Sequence, residues 1–448
     1  MNLIKILRTI KLKKFIKFII IFLILSFIIL WFLGFSLTNK QFNFDKIKQF
    51  ISKDTIHLLK KKSSEFIDFE FTLVKKEDYV IKNKKVQFEK FSNKYLKNRY
   101  YLTQNKSHIY AITNRGELFF SSKENLLLKK KIKLKKIKTN LEKIIGKKFI
   151  QENNLVVKGI LIVEEKIYVS YMYENNKCYS NAVAEGNLYN KEISFLPLFH
   201  LKECKDIMGL QVGGNIQNFK DNKIIITVGD YESYQDPQNE KSFYGKILSI
   251  NLSTKNIETL SMGHRNSQGL FYDSKNEVIF STDHGPQGGD EINVYENSEK
   301  NIIKNYGWPI SSYGEHYGYP DGESERVKND ISLQSPRYKA APLYKSHKEY
   351  GFEEPIKYFT PSIGITQILK VNNSTNDYHK LLVASMGNYK DENDMTIHII
   401  NFDKNFKEKD YQTIYIGERI RDMIDLKNGN VLLTLESTGS FGLLKNIY

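Results

Sequence analysis

The chain has 448 residues, 41% of them hydrophobic and 13% aromatic, enough for a real core in one large domain or in two to three ordinary ones. Its formal charge of +16 comes from basic residues spread along the whole length with no nucleic-acid-binding motif among them, so it reads as lysine-rich solvated faces and excludes a nucleic-acid surface. Two cysteines, Cys178 and Cys204, are too few for a disulfide framework or a structural zinc site; they form either one disulfide in an oxidising compartment or two buried thiols.

The N-terminus sets the compartment. Lys5, Arg8, Lys11, Lys13, Lys14 and Lys17 precede an uncharged stretch, residues 18–39, whose core from Phe18 to Leu33 is almost entirely Ile, Leu and Phe. At ~1.5 Å per residue a helix of this length reaches about 30 Å, enough to cross a bilayer. The basic flank predicts a cytoplasmic tail over 1–17, a transmembrane helix in the lipid bilayer over 18–39, and the remainder on the periplasmic or extracellular side of the cytoplasmic (inner) membrane. A cleaved signal peptide is the competing reading, for which Gly34-Phe35-Ser36 offers a weak small-x-small site. Residues 40–99 are lysine-rich and read as a stalk or packing extension without chemistry. Their spacing is loosely helical around Ile47 to Leu58 and strand-like over Phe69 to Val80.

From residue 100 onward a unit repeats. A turn rich in Asn, Asp, Lys or Glu leads into a short β run at His108–Thr113, Ile167–Tyr173, Ile224–Val228, Val278–Thr282, Leu381–Ser385 and Val431–Leu435. The starts are spaced by roughly 50–60 residues, the period of blade-type arrays, with one longer gap at about 300 to 360. The expected fold is all-β, a six-bladed β-propeller over 100–448 behind the transmembrane helix. The long gap is an insertion rich in Tyr, Gly and Pro, and only Thr139–Phe149 suggests a helix.

Motifs crowd onto one stretch, Gly263 to Pro309: Gly263-His264-Arg265-Asn266, then Asp283-His284-Gly285-Pro286 with Gly288-Gly289-Asp290-Glu291, then Asn305-Tyr306-Gly307-Trp308-Pro309. Glycines and charged side chains flanking a single β run suit loops at one end of a strand, where scaffolds carry their chemistry. With Arg419-Ile420-Arg421-Asp422, these motifs occur in the order found in the glucose/sorbosone dehydrogenase family, which this chain resembles over roughly 100–448. That family comprises the soluble-type pyrroloquinoline quinone (PQQ) enzymes, including aldose sugar dehydrogenases. The resemblance implies a six-bladed propeller, PQQ and Ca²⁺ as cofactors, a sugar or related alcohol as substrate, its oxidation to a lactone, and an electron acceptor that the sequence does not name. Carried over residue by residue, Arg265, Asn266, His284, Arg419 and Arg421 would hold the quinone, whose planar tricarboxylate suits guanidinium forks. The backbone carbonyls of Gly285 and Pro286 would hold one calcium, and Glu291 and Tyr306 a second.

One departure bears on turnover. The family has a catalytic histidine where this chain has Gln211, and Asp230 matches the carboxylate that orients it. A glutamine amide has no usable basicity, and an Asp near its ordinary pKa of about 4 is a poor base unless burial raises it. The family also places a lysine after the strand at Leu382–Ser385, where this chain reads Ser385-Met386-Gly387-Asn388 with Lys390 displaced. Two readings therefore stand: a PQQ-dependent sugar dehydrogenase, or a catalytically impaired or non-enzymatic propeller that binds a ligand or partner. A calcium-centred lactone hydrolase would need a set of carboxylates at the channel centre, and the sequence shows none.

Overall fold

The computed structural model describes residues 69–94, 96–153, 155–188, 192–206, 208–296, 302–317, 339–371, 378–387 and 394–448. They belong to one compact unit, Ile67–Tyr448. The expected transmembrane helix at 18–39, the extension up to residue 68, and residues 388 and 390 lie outside the described residues. Among the described residues no helix is long and apolar enough to cross a membrane.

The strands described form six four-stranded antiparallel blades. Blade 1 is Tyr100–Gln104, His108–Thr113, Leu118–Ser122 and Lys131–Thr139. Blade 2 is Val157–Val163, Lys166–Asn175, Cys178–Asn187 and Leu196–His200. Blade 3 is Gly213–Phe219, Lys223–Val228, Lys246–Asn251 and Ile257–Met262. Blade 4 is Ser267–Asp273, Val278–Asp283, Asp290–Glu296 and Lys357–Phe359. Blade 5 is Ile365–Val371, Tyr378–Ser385, Thr396–Asp403 and Glu408–Tyr415. Blade 6 is Ile420–Lys427, Asn430–Leu435, Ser440–Lys445 and, from the other end of the unit, Lys84–Ser92. The first strand of each blade touches the first strand of the next, and blade 6 meets blade 1. This closed cycle is a β-propeller.

Each β run of the sequence repeat is the second strand of its blade. The reason is burial. A second strand is paired on both edges and covered on both faces by neighbouring blades, so Lys223–Val228 is buried at every residue but the first. The outer strand Glu408–Tyr415 is mostly exposed and carries a weaker apolar signal. The helical expectation near Thr139–Phe149 corresponds to two short helices, Leu141–Ile145 and Lys147–Glu152. The long gap falls between the third and fourth strands of blade 4.

Ring closure uses residues that the sequence assigns to an extension. Lys84–Ser92 pairs with Ser440–Lys445, Gln87 facing Lys445 and Phe91 facing Phe441. Phe69–Ile81 forms a hairpin with it and pairs with Lys131–Thr139 of blade 1. A strand whose partner lies at the far end of the chain leaves no local signature. The apolar core sits between blades: Leu432, Phe441 and Leu443 of blade 6 pack with Tyr100, Leu102 and Ala111 of blade 1, together with Phe71 and Phe91. Cys178 and Cys204 are joined in a disulfide, Cα atoms 5.3 Å apart, tying the third strand of blade 2 to the loop that follows its fourth.

Phe91 is fully buried in the closing strand. Phe91→Ala should cost about 3–5 kcal/mol of unfolding free energy, read by equilibrium chemical denaturation. A loss below about 1 kcal/mol would show that the ring does not depend on this strand.

Candidate functional site

All six first strands start at the same end of the ring, and five of them bulge near that start. The register shifts lie between Val157 and Gly159, Gly213 and Ile216, Ser267 and Gly269, Ile365 and Ile368, and Ile420 and Asp422. A bulge inserts an unpaired residue and re-aims its side chain. Lys158, Asn215, Gln268, Gln367 and Arg421 stand at these inserted positions. Arg99, Gln211, Arg265, Asn266 and Arg419 stand just before the strands. The sequence candidates from blades 3, 4 and 6 thus gather at one mouth.

Gln211 is held on both sides. With its amide nitrogen turned toward Asp230, Nε2 donates to Asp230 Oδ1 at 2.8 Å and Oε1 accepts from Arg265 at 2.9 Å. Asp230 is fully buried and also accepts from Trp308 Nε1 at 2.8 Å and from the Glu232 amide at 2.8 Å. Burial dominates these bonds and the Arg265 charge, and pushes the Asp230 carboxyl up to about 7. The carboxylate beneath Gln211 therefore changes charge near neutral pH. Arg265 lies 5.3 Å from the Trp308 ring and donates to the carbonyls of His284 at 3.1 Å and Gly285 at 2.7 Å. Burial, then Arg265 and Arg421, push His284 down to about 3, so its imidazole is neutral.

The last blade supplies a second cationic group. Arg421 donates from Nε to Glu436 at 2.6 Å, and Arg419 and Arg99 reach the same carboxylate at 3.6 and 3.2 Å. Burial raises Glu436, but the three guanidiniums outweigh it and hold the carboxyl below its usual range. Arg421 continues to Gln268 Oε1 at 3.3 Å, Gln268 donates to Asn266 Oδ1 at 2.9 Å, and Asn266 Oδ1 accepts from the Gly213 amide at 3.1 Å. One polar chain thus links blades 6, 4 and 3. Below it a cavity of about 240 Å³, lined from all six first strands, includes Tyr101, Asn215 and Asp422.

Other motif residues are structural. His264 is bonded to Ser261 at 2.8 Å and Asp283 at 3.2 Å, and stacks on Tyr306. Asp283 accepts the Arg265 and Asn266 amides and so shapes their loop. Asp290 accepts the amides of Gly285, Ile363 and Ile365, fastening the His284–Pro286 loop to blade 5. Sequence reasoning missed Arg99, Lys158, Gln268, Trp308 and Glu436 as site residues. One signal was available: Lys158-Gly159 and Gln268-Gly269 are the same polar-Gly pair at the start of two first strands. Gly269 is required there because a Cβ would lie 2.3 Å from the Thr366 carbonyl oxygen.

The family model for glucose/sorbosone dehydrogenases matches residues 162–444. The chain belongs to that family. An uncharacterised protein of Synechocystis sp. is 24% identical over 298 residues, 61% of this chain and 65% of its own length. Aldose sugar dehydrogenase YliI of Escherichia coli is 28% identical over 196 residues, 42% of this chain and 44% of its own. The matches thus span less than two thirds of these curated relatives. The fold is similar to the apo-form of the soluble aldose sugar dehydrogenase of E. coli, with TM-score 0.59 and 18% identity over 80% of this chain and 99% of that one. It is similar also to the PQQ-bound aldose sugar dehydrogenase of Streptomyces coelicolor, with TM-score 0.56 and 15% identity over 83% and 98%.

Within this family site, the four residues expected to bind calcium already make contacts with protein groups. The Gly285 carbonyl accepts from Arg265, and the Pro286 carbonyl accepts from Ser362 at 3.2 Å. His347 bridges the other pair: its Nδ1 lies 3.0 Å from the Tyr306 carbonyl and its Nε2 3.2 Å from Glu291, an ion-pair distance without hydrogen-bond alignment. Burial lowers His347, yet Glu291 and its neighbours raise it above its ordinary value. Among the described residues no cluster of three or more His, Cys, Asp or Glu could hold a metal. As folded, a calcium ion would share these oxygens with the donors already present.

Two predictions follow from these contacts. Adding calcium or EDTA to the protein leaves its melting temperature unchanged; a calcium-dependent rise of several degrees would show that Arg265 and His347 yield their acceptors to an ion. The second concerns Asp230. Its folded pKa lies above the unfolded one, so the folded state keeps a proton that the unfolded chain releases, and stability falls as pH rises from about 4 to about 7. Asp230→Asn removes this dependence, so the variant's melting deficit against the parent should shrink between pH 5 and pH 8. A deficit that stays constant or grows would mean Asp230 is ionised throughout.

Proposed function

We propose that this chain is a PQQ-dependent aldose dehydrogenase-like protein that oxidises a sugar to its lactone. The observation that carries this reading is the gathering of Arg265, Arg419 and Arg421 at the ring mouth, Arg265 on the His284–Gly285 loop and the other two on Glu436. A planar tricarboxylate fits such a surround, because guanidinium forks pair with carboxylates and a neutral imidazole keeps one N–H to donate. Arg421, Gln268 and Asn266 present a continuous polar edge to it. That a protein of the same fold is PQQ-bound supports PQQ as the group held. When bound, PQQ would supply a two-electron acceptor for the hydride of the sugar.

The proton is handled by this chain's own pair. Gln211 is fixed between Asp230 and Arg265 and orients the substrate hydroxyl by hydrogen bonding. It cannot accept a proton. Asp230, raised to about 7, can, but Gln211 and Trp308 cover it. Proton removal is therefore the step that this chain performs less well than a histidine would. Calcium would be held by the Gly285 and Pro286 carbonyls, sharing the first with Arg265 and the second with Ser362. The location proposed is single-pass in the cytoplasmic membrane through residues 18–39, with the propeller on the periplasmic or extracellular side. The Cys178–Cys204 disulfide supports an oxidising compartment.

Adding PQQ to the purified protein should change the quinone spectrum and raise the melting temperature. Gln211→His should then increase sugar-dependent dye reduction by about 10²-fold or more, the contribution of a positioned general base. No spectral change and no stabilisation would favour the second reading, a non-enzymatic propeller that binds a ligand or partner, which the Gln211 replacement itself supports.

A further inference from the structure

Lys158, like Arg99, is a cation at the mouth that the sequence motifs do not contain. It is the inserted residue of the blade 2 bulge, between Val157 and Gly159. Arg421 is the inserted residue of the blade 6 bulge, between Ile420 and Asp422. The two therefore occupy equivalent positions in the ring, on either side of blade 1, and extend toward the same end of the channel. Arg421 spends its guanidinium on Glu436 and Gln268. Lys158 makes no hydrogen bond or ion pair with any described residue, although only 8% of its surface is exposed.

Its surroundings make the missing partner informative. Gly214 stands against its stem, and a Cβ there would lie 2.3 Å from Lys158 Cβ, so the backbone has been cleared for this side chain. The charges that act on it are those of Arg421 and Arg99, both positive. Burial first, then these two guanidiniums, lower its ammonium to about 7. A largely buried cation near two others is unfavourable even where its ammonium tip meets water, and an anion arriving at the site relieves that cost.

We infer that Lys158 is an anion-binding residue of the mouth, its ammonium pairing with a carboxylate of the ligand that Arg419 and Arg421 hold. The inference rests on the quinone reading for the ligand's identity, and on the bulge geometry for the residue. Lys158 is here a binding residue with no proton-transfer role.

The test compares the full chain with Lys158→Met, which keeps the stem and removes the charge. PQQ and citrate are the probes, binding is read by isothermal titration, and the melting temperature is measured without ligand. The wild type should bind PQQ, and the variant should bind it about 10- to 100-fold more weakly, the range for losing one charge-assisted hydrogen bond. Without ligand the variant should melt at or above the wild type. Equal PQQ affinity in the two proteins overturns the inference and leaves the quinone reading intact. A variant that melts lower with unchanged affinity assigns Lys158 a packing role and also overturns it. If PQQ does not bind but citrate binds in a Lys158-dependent way, the anion site stands and the quinone reading falls. Binding of neither probe by the wild type overturns both.

Discussion

A side-chain hydroxyl reaching from one blade into the next holds the inner ring together. Ser170 donates to the Gly214 carbonyl at 2.5 Å, Thr227 to the Ser267 carbonyl at 2.9 Å, and Thr282 to the Thr366 carbonyl. Thr366 donates to the Ile420 carbonyl at 2.8 Å, and Asp422 accepts the Leu102 amide at 2.6 Å, which joins blade 6 to blade 1. Thr103 accepts the Ile162 amide at 3.2 Å and joins blade 1 to blade 2. These groups lie where water does not reach, so a lost partner would leave an unsatisfied polar group in a low dielectric. Bulges in five of the first strands free the carbonyls that several of these bonds use. The same bulges turn Lys158, Gln268 and Arg421 toward the axis. The device that closes the ring thus also aims the site.

The mouth is overcharged in one direction. Glu436 faces Arg99, Arg419 and Arg421, while Lys158 makes no ion pair with any described residue. Asp230, Asp290 and Asp422 are all buried and all raised, to about 7, 7 and 6. A surplus of buried positive charge is unfavourable for an empty scaffold, and it suits a polyanionic ligand. Against this surplus, Gln211 keeps the hydrogen bonds available at its position and loses basicity. In this chain the hydrogen bonds at position 211 and the titratable group, Asp230, belong to different residues. The calcium positions follow the same trend. Arg265 and His347 bring cationic or polar N–H donors to the oxygens that an ion would otherwise collect.

Much of the fold could be read from the chain because the second strand of each blade is buried on both faces. Such a strand must be apolar almost throughout, and the run Ile224-Ile225-Ile226 shows it without any knowledge of its neighbours. The motifs around Arg265, His284 and Arg421 were also visible, since loops that must place charged groups beside glycines leave dense local patterns. The closing strand Lys84–Ser92 was not visible, because its pairing partner stands at the opposite end of the chain. Glu436 and Arg99 were missed for a related reason: each is an ordinary charged residue until the ring brings it to Arg421.

The sequence alone determined the repeat, the family and the identity of the residue at position 211. Those depend on residue type and local spacing, which no packing can alter. Only the tertiary structure decided what Asp230 is, because its acidity depends on complete burial beneath Trp308 and Gln211. Likewise, only the structure decided that Gly285, Pro286, Glu291 and Tyr306 are already engaged, and that Lys158 stands across blade 1 from Arg421. Burial, desolvation and the meeting of bulges from separate blades are properties of the closed ring, and residue order does not contain them.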